Sequence, residues 1–127
     1  MAHILIIDDE ISIQLLFEQF LEGEGYGVSS ASDGREGLLL MKQQRPDLVI
    51  ADIMMPEMDG LEVIRDIKKN NPELPVIAIS GGMHGVQMNF LPHARKFGAS
   101  RVFEKPVLLA DLLAAVQELL STSAENK

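Results

Sequence analysis

Three unbroken apolar segments constrain the fold of this chain more than any other feature of its sequence. They are Ile4-Leu5-Ile6-Ile7, Leu48-Val49-Ile50-Ala51 and Val76-Ile77-Ala78-Ile79. Continuous apolar runs of this length are typical of parallel strands that helices cover on both faces. Together with two weaker segments they predict five strands, at residues 3–7, 27–31, 48–51, 76–80 and 101–104.

The segments between these strands carry helical periodicity. Ile13, Leu16, Phe17 and Phe20 have the spacing of one buried helical stripe, and Gly23 follows as a stop signal. The predicted helices cover about residues 13–23, 33–45, 61–70, 92–97 and 109–120, and the second begins with a capping-box pattern at 33–36. Strand and helix alternate five times, which predicts an α/β fold with a doubly wound, five-stranded parallel sheet.

The composition limits the classes of protein to consider. The chain has 127 residues, 46% hydrophobic and 24% charged, with no cysteine, which fits one compact domain without disulfides. Its longest apolar run, Leu112–Val116, is far shorter than the roughly twenty residues of a membrane span, and no secretory signal is recognisable. We therefore expect a cytoplasmic location and no membrane insertion. A net charge of −8 disfavours direct contact with nucleic acid and suits a divalent cation. Residues 1–122 are assigned to the domain and 123–127 to a polar tail.

Polar side chains stand at the carboxyl ends of four predicted strands. Asp8-Asp9-Glu10 follows the first strand, Asp52 the third and Lys105 the fifth, while Ser80 ends the fourth. Ligands of such sheets bind at these ends, near the switch point in strand order. Two carboxylates about 4 Å apart would repel by about 4 kcal/mol at an effective dielectric constant of about 20. Lys105 and a divalent cation such as Mg²⁺ would neutralise them, and the whole set favours a site for phosphoryl chemistry.

The same residues, in the same order, carry a resemblance that spans essentially the whole chain. Asp8-Asp9, Asp52-Ile-Met-Met-Pro-Glu-Met-Asp-Gly60, Ser80-Gly81 and Lys105-Pro106 resemble the motifs of the receiver domain of bacterial two-component response regulators. The resemblance implies a flavodoxin-like (βα)5 fold with strand order 2-1-3-4-5. It also implies a phosphorylation-dependent signalling switch, and not an enzyme that turns over a separate substrate.

The resemblance assigns an acceptor and a set of metal ligands. Asp52 would accept a phosphoryl group from a sensor histidine kinase or a histidine phosphotransfer protein. Mg²⁺ would be held directly by Asp9 and Asp52, by Asp8 largely through water, and by the backbone carbonyl of Met54. These roles are expectations that come from the family.

The switch is also implied by the resemblance. The Ser80 hydroxyl would hydrogen-bond the acyl phosphate, and Lys105, aimed by a cis bond to Pro106, would neutralise it. The signal would reach a downstream protein through the surface of the fourth predicted helix, the fifth strand and the last helix. One position departs from the family pattern, because the residue three before the lysine is Val102 and not an aromatic. Strand alternation predicts that the neighbouring Phe103 packs into the core and does not move with Ser80.

Two residues near the site predict a long-lived phosphorylated state. Hydrolysis of an aspartyl phosphate needs an oriented water, which in receivers depends on the residues two beyond the acceptor and two beyond the serine. Here these are Met54 and Gly82, and neither side chain can hydrogen-bond a water. We therefore expect self-dephosphorylation to be slow.

Each site residue also has a purely structural interpretation. Asp9 could cap the first helix, Asp52 and Ser80 could bond the local backbone, and Lys105 could be solvated. Among other functions, a haloacid-dehalogenase-type phosphatase would need a second aspartate where Met54 stands, and a nucleotide binder would need a phosphate loop that the sequence lacks. A pseudo-receiver that serves as an adaptor, and a receiver cut from a longer regulator, stay open.

Overall fold

The computed structural model describes residues 2–53, 60–80 and 98–125 of the chain. Strands and helices alternate along it as the periodicity predicts. The strands are β1 (His3–Ile7), β2 (Gly27–Ala31), β3 (Leu48–Asp52), β4 (Val76–Ser80) and β5 (Arg101–Glu104). The helices of the described part are α1 (Ile11–Gly23), α2 (Gly34–Gln43), α3 (Gly60–Asn70) and α4 (Leu109–Glu125).

The five strands form one parallel sheet in the order β2-β1-β3-β4-β5. The predicted fold class and strand order are therefore confirmed. Strand β3 extends one residue beyond its predicted end, because Asp52 pairs with Ile79 of β4. The sequence order changes direction between β1 and β3, so the carboxyl ends of these two strands flank the switch point.

The unbroken apolar strands are explained by two hydrophobic cores, one on each face of the sheet. Alternate residues point to opposite faces: Leu5 and Ile7 contribute to the core beneath α2 and α3, whereas Ile4 and Ile6 contribute to the core beneath α1 and α4. All five residues of β3 and of β4 are buried. Helical cover on both faces thus leaves no solvent-facing side of the central strands for polar residues.

Two predicted helix starts have different outcomes. Asp33 caps α2, since its Oδ1 accepts a hydrogen bond of 2.8 Å from the backbone N–H of Glu36. Asp9 does not cap α1, because the N-cap position is Glu10, whose side chain makes no capping hydrogen bond. The structural interpretation of Asp9 as a helix cap is therefore wrong.

The predicted stripe of α1 is confirmed at three of its four positions, because Phe17 is buried and Ile13 and Phe20 pack, partly buried, against the same core. The buried residues of the helix are Gln14, Phe17 and Leu21, whereas Leu16 is 46% exposed. These three residues keep the i, i+3, i+7 spacing, so they confirm the helical period, and Leu16 is the one predicted position that does not face the core. Gln14 can be buried on this face because its polar side chain finds hydrogen-bond acceptors inside the protein.

Strand β5 presents its two central side chains to opposite cores. Val102 packs against the core beneath α2 and α3, and Phe103 packs against the core beneath α1 and α4. The prediction that Phe103 joins the core is confirmed. Helix α4 continues to Glu125, into the segment assigned to the polar tail, and the division into domain and tail stays a prediction.

Several predictions concern segments that the structure does not describe. The short helix predicted at 92–97, the glycine-rich loop at 81–85, and Met54 lie outside the described residues. Across the three described ranges, no helix combines the length and the hydropathy needed to cross a membrane.

Candidate functional site

The predicted site residues meet at the carboxyl edge of the sheet. Asp8 directly follows β1, Asp52 is the last residue of β3, and Ser80 is the last residue of β4. Lys105 directly follows β5, and its backbone N–H donates a 2.9 Å hydrogen bond to the carbonyl of Ser80. Because all five strands are parallel, their ends lie on one edge, and residues far apart in sequence become neighbours.

Three carboxylates form the centre of the site. Oxygen atoms of Asp8, Asp9 and Asp52 all lie within 4.8 Å of one another. Asp8 and Asp52 are buried, with 2% and 3% of their surface exposed, whereas Asp9 is exposed. The predicted convergence of carboxylates from two neighbouring strands is therefore confirmed, and it concentrates negative charge where water is largely excluded.

Lys105 reaches across the edge of the sheet into this cluster. Its Nζ lies 3.0 Å from Oδ2 of Asp52, 3.1 Å from Oδ2 of Asp8 and 3.4 Å from Oε1 of Glu10. Only 14% of the lysine side chain is exposed, so the interpretation of Lys105 as a solvated surface residue is wrong. The peptide bond between Lys105 and Pro106 is cis, as predicted.

Burial and neighbouring charges change the pKa values of Asp8 and Lys105. Burial raises the pKa of Asp8, and the nearby charge of Asp52 raises it further, against the opposing effects of the Glu10 backbone N–H and of Lys105. Burial alone would lower the pKa of Lys105, but the charges and hydrogen bonds of Asp52 and Asp8 outweigh it and raise that pKa. The lysine is therefore protonated at neutral pH, and its single positive charge does not fully offset the carboxylates around it.

Two residues contact the site although the sequence analysis assigned them no role in it. Glu10 adds a third carboxylate to Lys105, and only its place directly after Asp8-Asp9 signals this. Gln14 donates from its side-chain amide to the backbone carbonyl of Asp8 at 2.5 Å. The sequence feature that could have indicated Gln14 is an amide side chain on a helix stripe whose other residues are Phe17 and Leu21.

The decisive comparison is with models of known protein families. The model of the response regulator receiver domain matches residues 4–117, which is most of the chain. The chain belongs to the receiver domain family of response regulators. Receivers are signalling domains of two-component systems, and this membership decides against the phosphatase and the nucleotide binder considered above.

Individual relatives support the assignment of this chain to the receiver domain family. The response regulator MprA of Mycolicibacterium vanbaalenii is 35% identical over an alignment of 125 residues, and the match covers 94% of this chain and 50% of that protein. A response regulator receiver domain protein from Clostridium thermocellum has 34% identity, a TM-score of 0.90 and full coverage of both chains. A CheY-like receiver domain protein from Methanospirillum hungatei JF-1 has 30% identity and a TM-score of 0.92, covering 100% of this chain and 99% of its own. The receiver spans about half the length, or less, of the curated relatives it matches.

Proposed function

We propose that this receiver takes a phosphoryl group onto Asp52 from a phosphohistidine of a sensor histidine kinase or a histidine phosphotransfer protein. The observation that carries the proposal is the position of Lys105 Nζ, 3.0 Å from Asp52 and 3.1 Å from Asp8, beside a cluster of three carboxylates. This arrangement supports the proposal, because one cation and a set of oxygens suited to a metal ion surround one buried carboxylate. The receiver then acts as a switch that changes partner binding, and not as an enzyme that turns over a separate substrate.

The donor set fits Mg²⁺. Carboxylate oxygens are hard ligands, and Mg²⁺ typically takes one or two carboxylates together with waters and phosphate oxygens. Asp8, Asp9 and Asp52 would hold the ion, together with the backbone carbonyl of Met54, which lies outside the described residues. The bound ion would supply positive charge that offsets the negative phosphoryl oxygens.

The transfer follows from the chemistry of Asp52 and its neighbours. A carboxylate oxygen of Asp52 forms a bond to phosphorus while the phosphorus–nitrogen bond of the donor histidine breaks, and the imidazole keeps the electron pair and takes up a proton. Lys105 is already aligned with Asp52 and stabilises the charge on the transferred oxygens. The hydroxyl of Ser80, on the neighbouring strand end, donates to the acyl phosphate and starts the conformational change.

The phosphodonor docks on an apolar surface beside the acceptor. Ile11 and Leu16 of α1 and Leu108 before α4 are exposed by 58%, 46% and 69%. Leu16 also lines a cavity of about 370 Å³ together with Glu10 and Lys105, so one exposed apolar side chain of α1 adjoins the lysine of the site. A protein that delivers a phosphohistidine to Asp52 must cover this edge of the sheet. The downstream partner would bind the surface of the fourth predicted helix, β5 and the last helix, of which the fourth predicted helix lies outside the described residues.

Labelling with acetyl phosphate tests the acceptor without a cognate kinase. In the presence of Mg²⁺ the intact mass of the receiver should increase by one phosphoryl group, and removal of Mg²⁺ with a chelator should abolish the increase. Asp52→Asn should stay unlabelled, while the matched exposed variant Asp111→Asn should be labelled like the unsubstituted protein. A receiver that stays unlabelled under all conditions would instead be an adaptor that signals without phosphorylation.

The phosphorylated state of this receiver should last longer than is usual among receiver domains. Neither Met54 nor Gly82 offers a side chain that orients the attacking water, so reset would depend on a phosphatase or kinase partner. Met54→Asn and Gly82→Glu should each speed the loss of the phosphoryl group in excess Mg²⁺. If the unsubstituted receiver decays as fast as both variants, water orientation does not set its lifetime.

The cytoplasmic location expected from the sequence belongs to the same proposal, because the phosphodonor must reach Asp52. Whether the receiver acts alone or as part of a longer regulator does not change the chemistry at its acceptor.

A further inference from the structure

Gln14 is a buried polar residue on the apolar face of α1. It occupies the same stripe as Phe17 and Leu21 and is only 8% exposed. A buried amide without partners would cost free energy, so its position requires hydrogen-bond acceptors. The structure supplies them at the carboxyl ends of β1 and β2.

The side-chain Nε2 of Gln14 faces three oxygen acceptors. It lies 2.5 Å from the backbone carbonyl oxygen of Asp8, 3.3 Å from that of Ala31 and 3.3 Å from Oγ of Ser32. The carbonyl of Ala31 also accepts a 3.0 Å hydrogen bond from the backbone N–H of Asp8. Gln14 therefore ties the turn between β1 and α1 to the end of β2.

This bond completes the restraint of Asp8. The N–H of Asp8 is held by Ala31, its carbonyl by Gln14, and its Oδ1 by the backbone N–H of Glu10 at 2.9 Å. The peptide that joins Asp8 to Asp9 is the one whose carbonyl Gln14 binds. The orientation of that peptide sets the direction in which both carboxylates leave the backbone.

We propose that Gln14 is a positioning residue of the acceptor site, which presets the Asp8–Asp9 turn for the metal ion. The inference rests on the proposed function, since it concerns the same carboxylates. Gln14 acts through the backbone carbonyl of Asp8 and not through a carboxylate oxygen that would hold the metal ion. Loss of one buried amide hydrogen bond should weaken Mg²⁺ binding roughly threefold to tenfold.

The test uses two variants that remove the bond in different ways. Gln14→Met keeps the length of the side chain and lacks the donor, whereas Gln14→Asn keeps the amide and is one methylene too short. Gln19→Met makes the same chemical change at an exposed position of α1, and Leu21→Val weakens the core at the far end of that helix. For each protein, Mg²⁺ affinity, the rate of labelling by acetyl phosphate and the free energy of unfolding are measured.

A second readout reports the bond itself. The carbonyl carbon of Asp8 and the backbone amide of Asp9 should change their NMR chemical shifts in both Gln14 variants, and should keep them in Gln19→Met and Leu21→Val. Mg²⁺ affinity and labelling rate should fall threefold to tenfold in the Gln14 variants only. This pattern separates positioning from stability, because Leu21→Val lowers stability without touching the turn.

Two results would overturn the inference, and they are distinguishable from each other. If the unsubstituted receiver is labelled and binds Mg²⁺ while both Gln14 variants match it, or lose no more than Leu21→Val, only the positioning role fails. If the unsubstituted receiver neither binds Mg²⁺ nor is labelled, the proposed function fails and the positioning role fails with it.

Discussion

At the scale of single residues, the site is a group of charges that do not balance. Asp8 and Asp52 are buried beside one lysine, and the exposed Asp9 and Glu10 add two further carboxylates to the site. The raised pKa of Asp8 expresses the cost of keeping that carboxylate ionised where burial removes its hydration and Asp52 repels it. The buried charge of Asp8 therefore lowers the stability of the folded protein, while it suits the site for binding a cation.

Asp8→Asn should therefore stabilise the receiver in the absence of divalent cations. We expect the free energy of unfolding at neutral pH to rise by about 1 kcal/mol, since Asp52 is then the one buried acid beside Lys105. Because the folded-state pKa of Asp8 is raised, its favourable contribution is fully present below the unfolded value of 3.8 and is lost as the pH rises through the folded pKa. Urea unfolding from about pH 4 to about pH 8 should show the difference growing with pH. The exposed Asp111→Asn should stay near the unsubstituted protein, and a destabilised Asp8→Asn at neutral pH would refute the charge argument.

The convergence of Asp8, Asp52 and Lys105 could be predicted because each stands at the carboxyl end of a strand, and parallel strands end on one edge. The role of Gln14 could not, because periodicity alone treats a glutamine among apolar residues as an interruption. Its acceptors are carbonyls at the ends of β1 and β2, which become neighbours only in the folded sheet.

At the scale of elements, helix α2 lies close to β1 because Gly37 faces the sheet. A Cβ at Gly37 would lie 2.5 Å from Cδ1 and 2.9 Å from Cγ1 of Ile7, closer than non-bonded carbon atoms approach. Ile7 immediately precedes Asp8, so the packing of α2 against β1 supports the strand end that carries the site. By contrast, a Cβ at Gly23, the last residue of α1, would meet no atom within 4 Å.

Opposite effects are expected from the same substitution at these two glycines. Gly37→Ala should lower the free energy of unfolding by about 1 kcal/mol, because overpacking against Ile7 outweighs the better helix propensity of alanine. Gly23→Ala should raise it by about 0.5 kcal/mol, because only the propensity changes. Urea unfolding of both variants checks this, and equal effects would mean that Ile7 moves aside at no cost.

At the scale of the whole molecule, the hydrophobic cores on both faces of the sheet stabilise the fold against the charge repulsion at the site. All residues of the central strands are buried, so the strand ends that carry Asp52 and Ser80 are anchored in the two cores. The net charge of −8 adds general repulsion that any salt would screen. A specific effect of Mg²⁺ must therefore be separated from screening.

Mg²⁺ should stabilise the whole receiver by binding only its folded form. At a concentration about 100 times the Kd the gain should be about 2.7 kcal/mol. Asp9→Asn should lose most of this gain and differ little from the unsubstituted protein without Mg²⁺, because Asp9 is exposed. Thermal unfolding with MgCl₂, against NaCl at equal ionic strength, distinguishes the two effects. Equal gains from both salts, or an undiminished gain in Asp9→Asn, would contradict the predicted metal site.

The central claim is that Asp52, among several neighbouring carboxylates, is the phosphoryl acceptor. Its most direct test is to label the receiver with acetyl phosphate and Mg²⁺, reduce the acyl phosphate with borohydride, and locate the reduced residue by peptide mass spectrometry. The account predicts reduction at Asp52 alone, with none in Asp52→Asn. Reduction at Asp8 or Asp9, or undiminished labelling of Asp52→Asn, would contradict it.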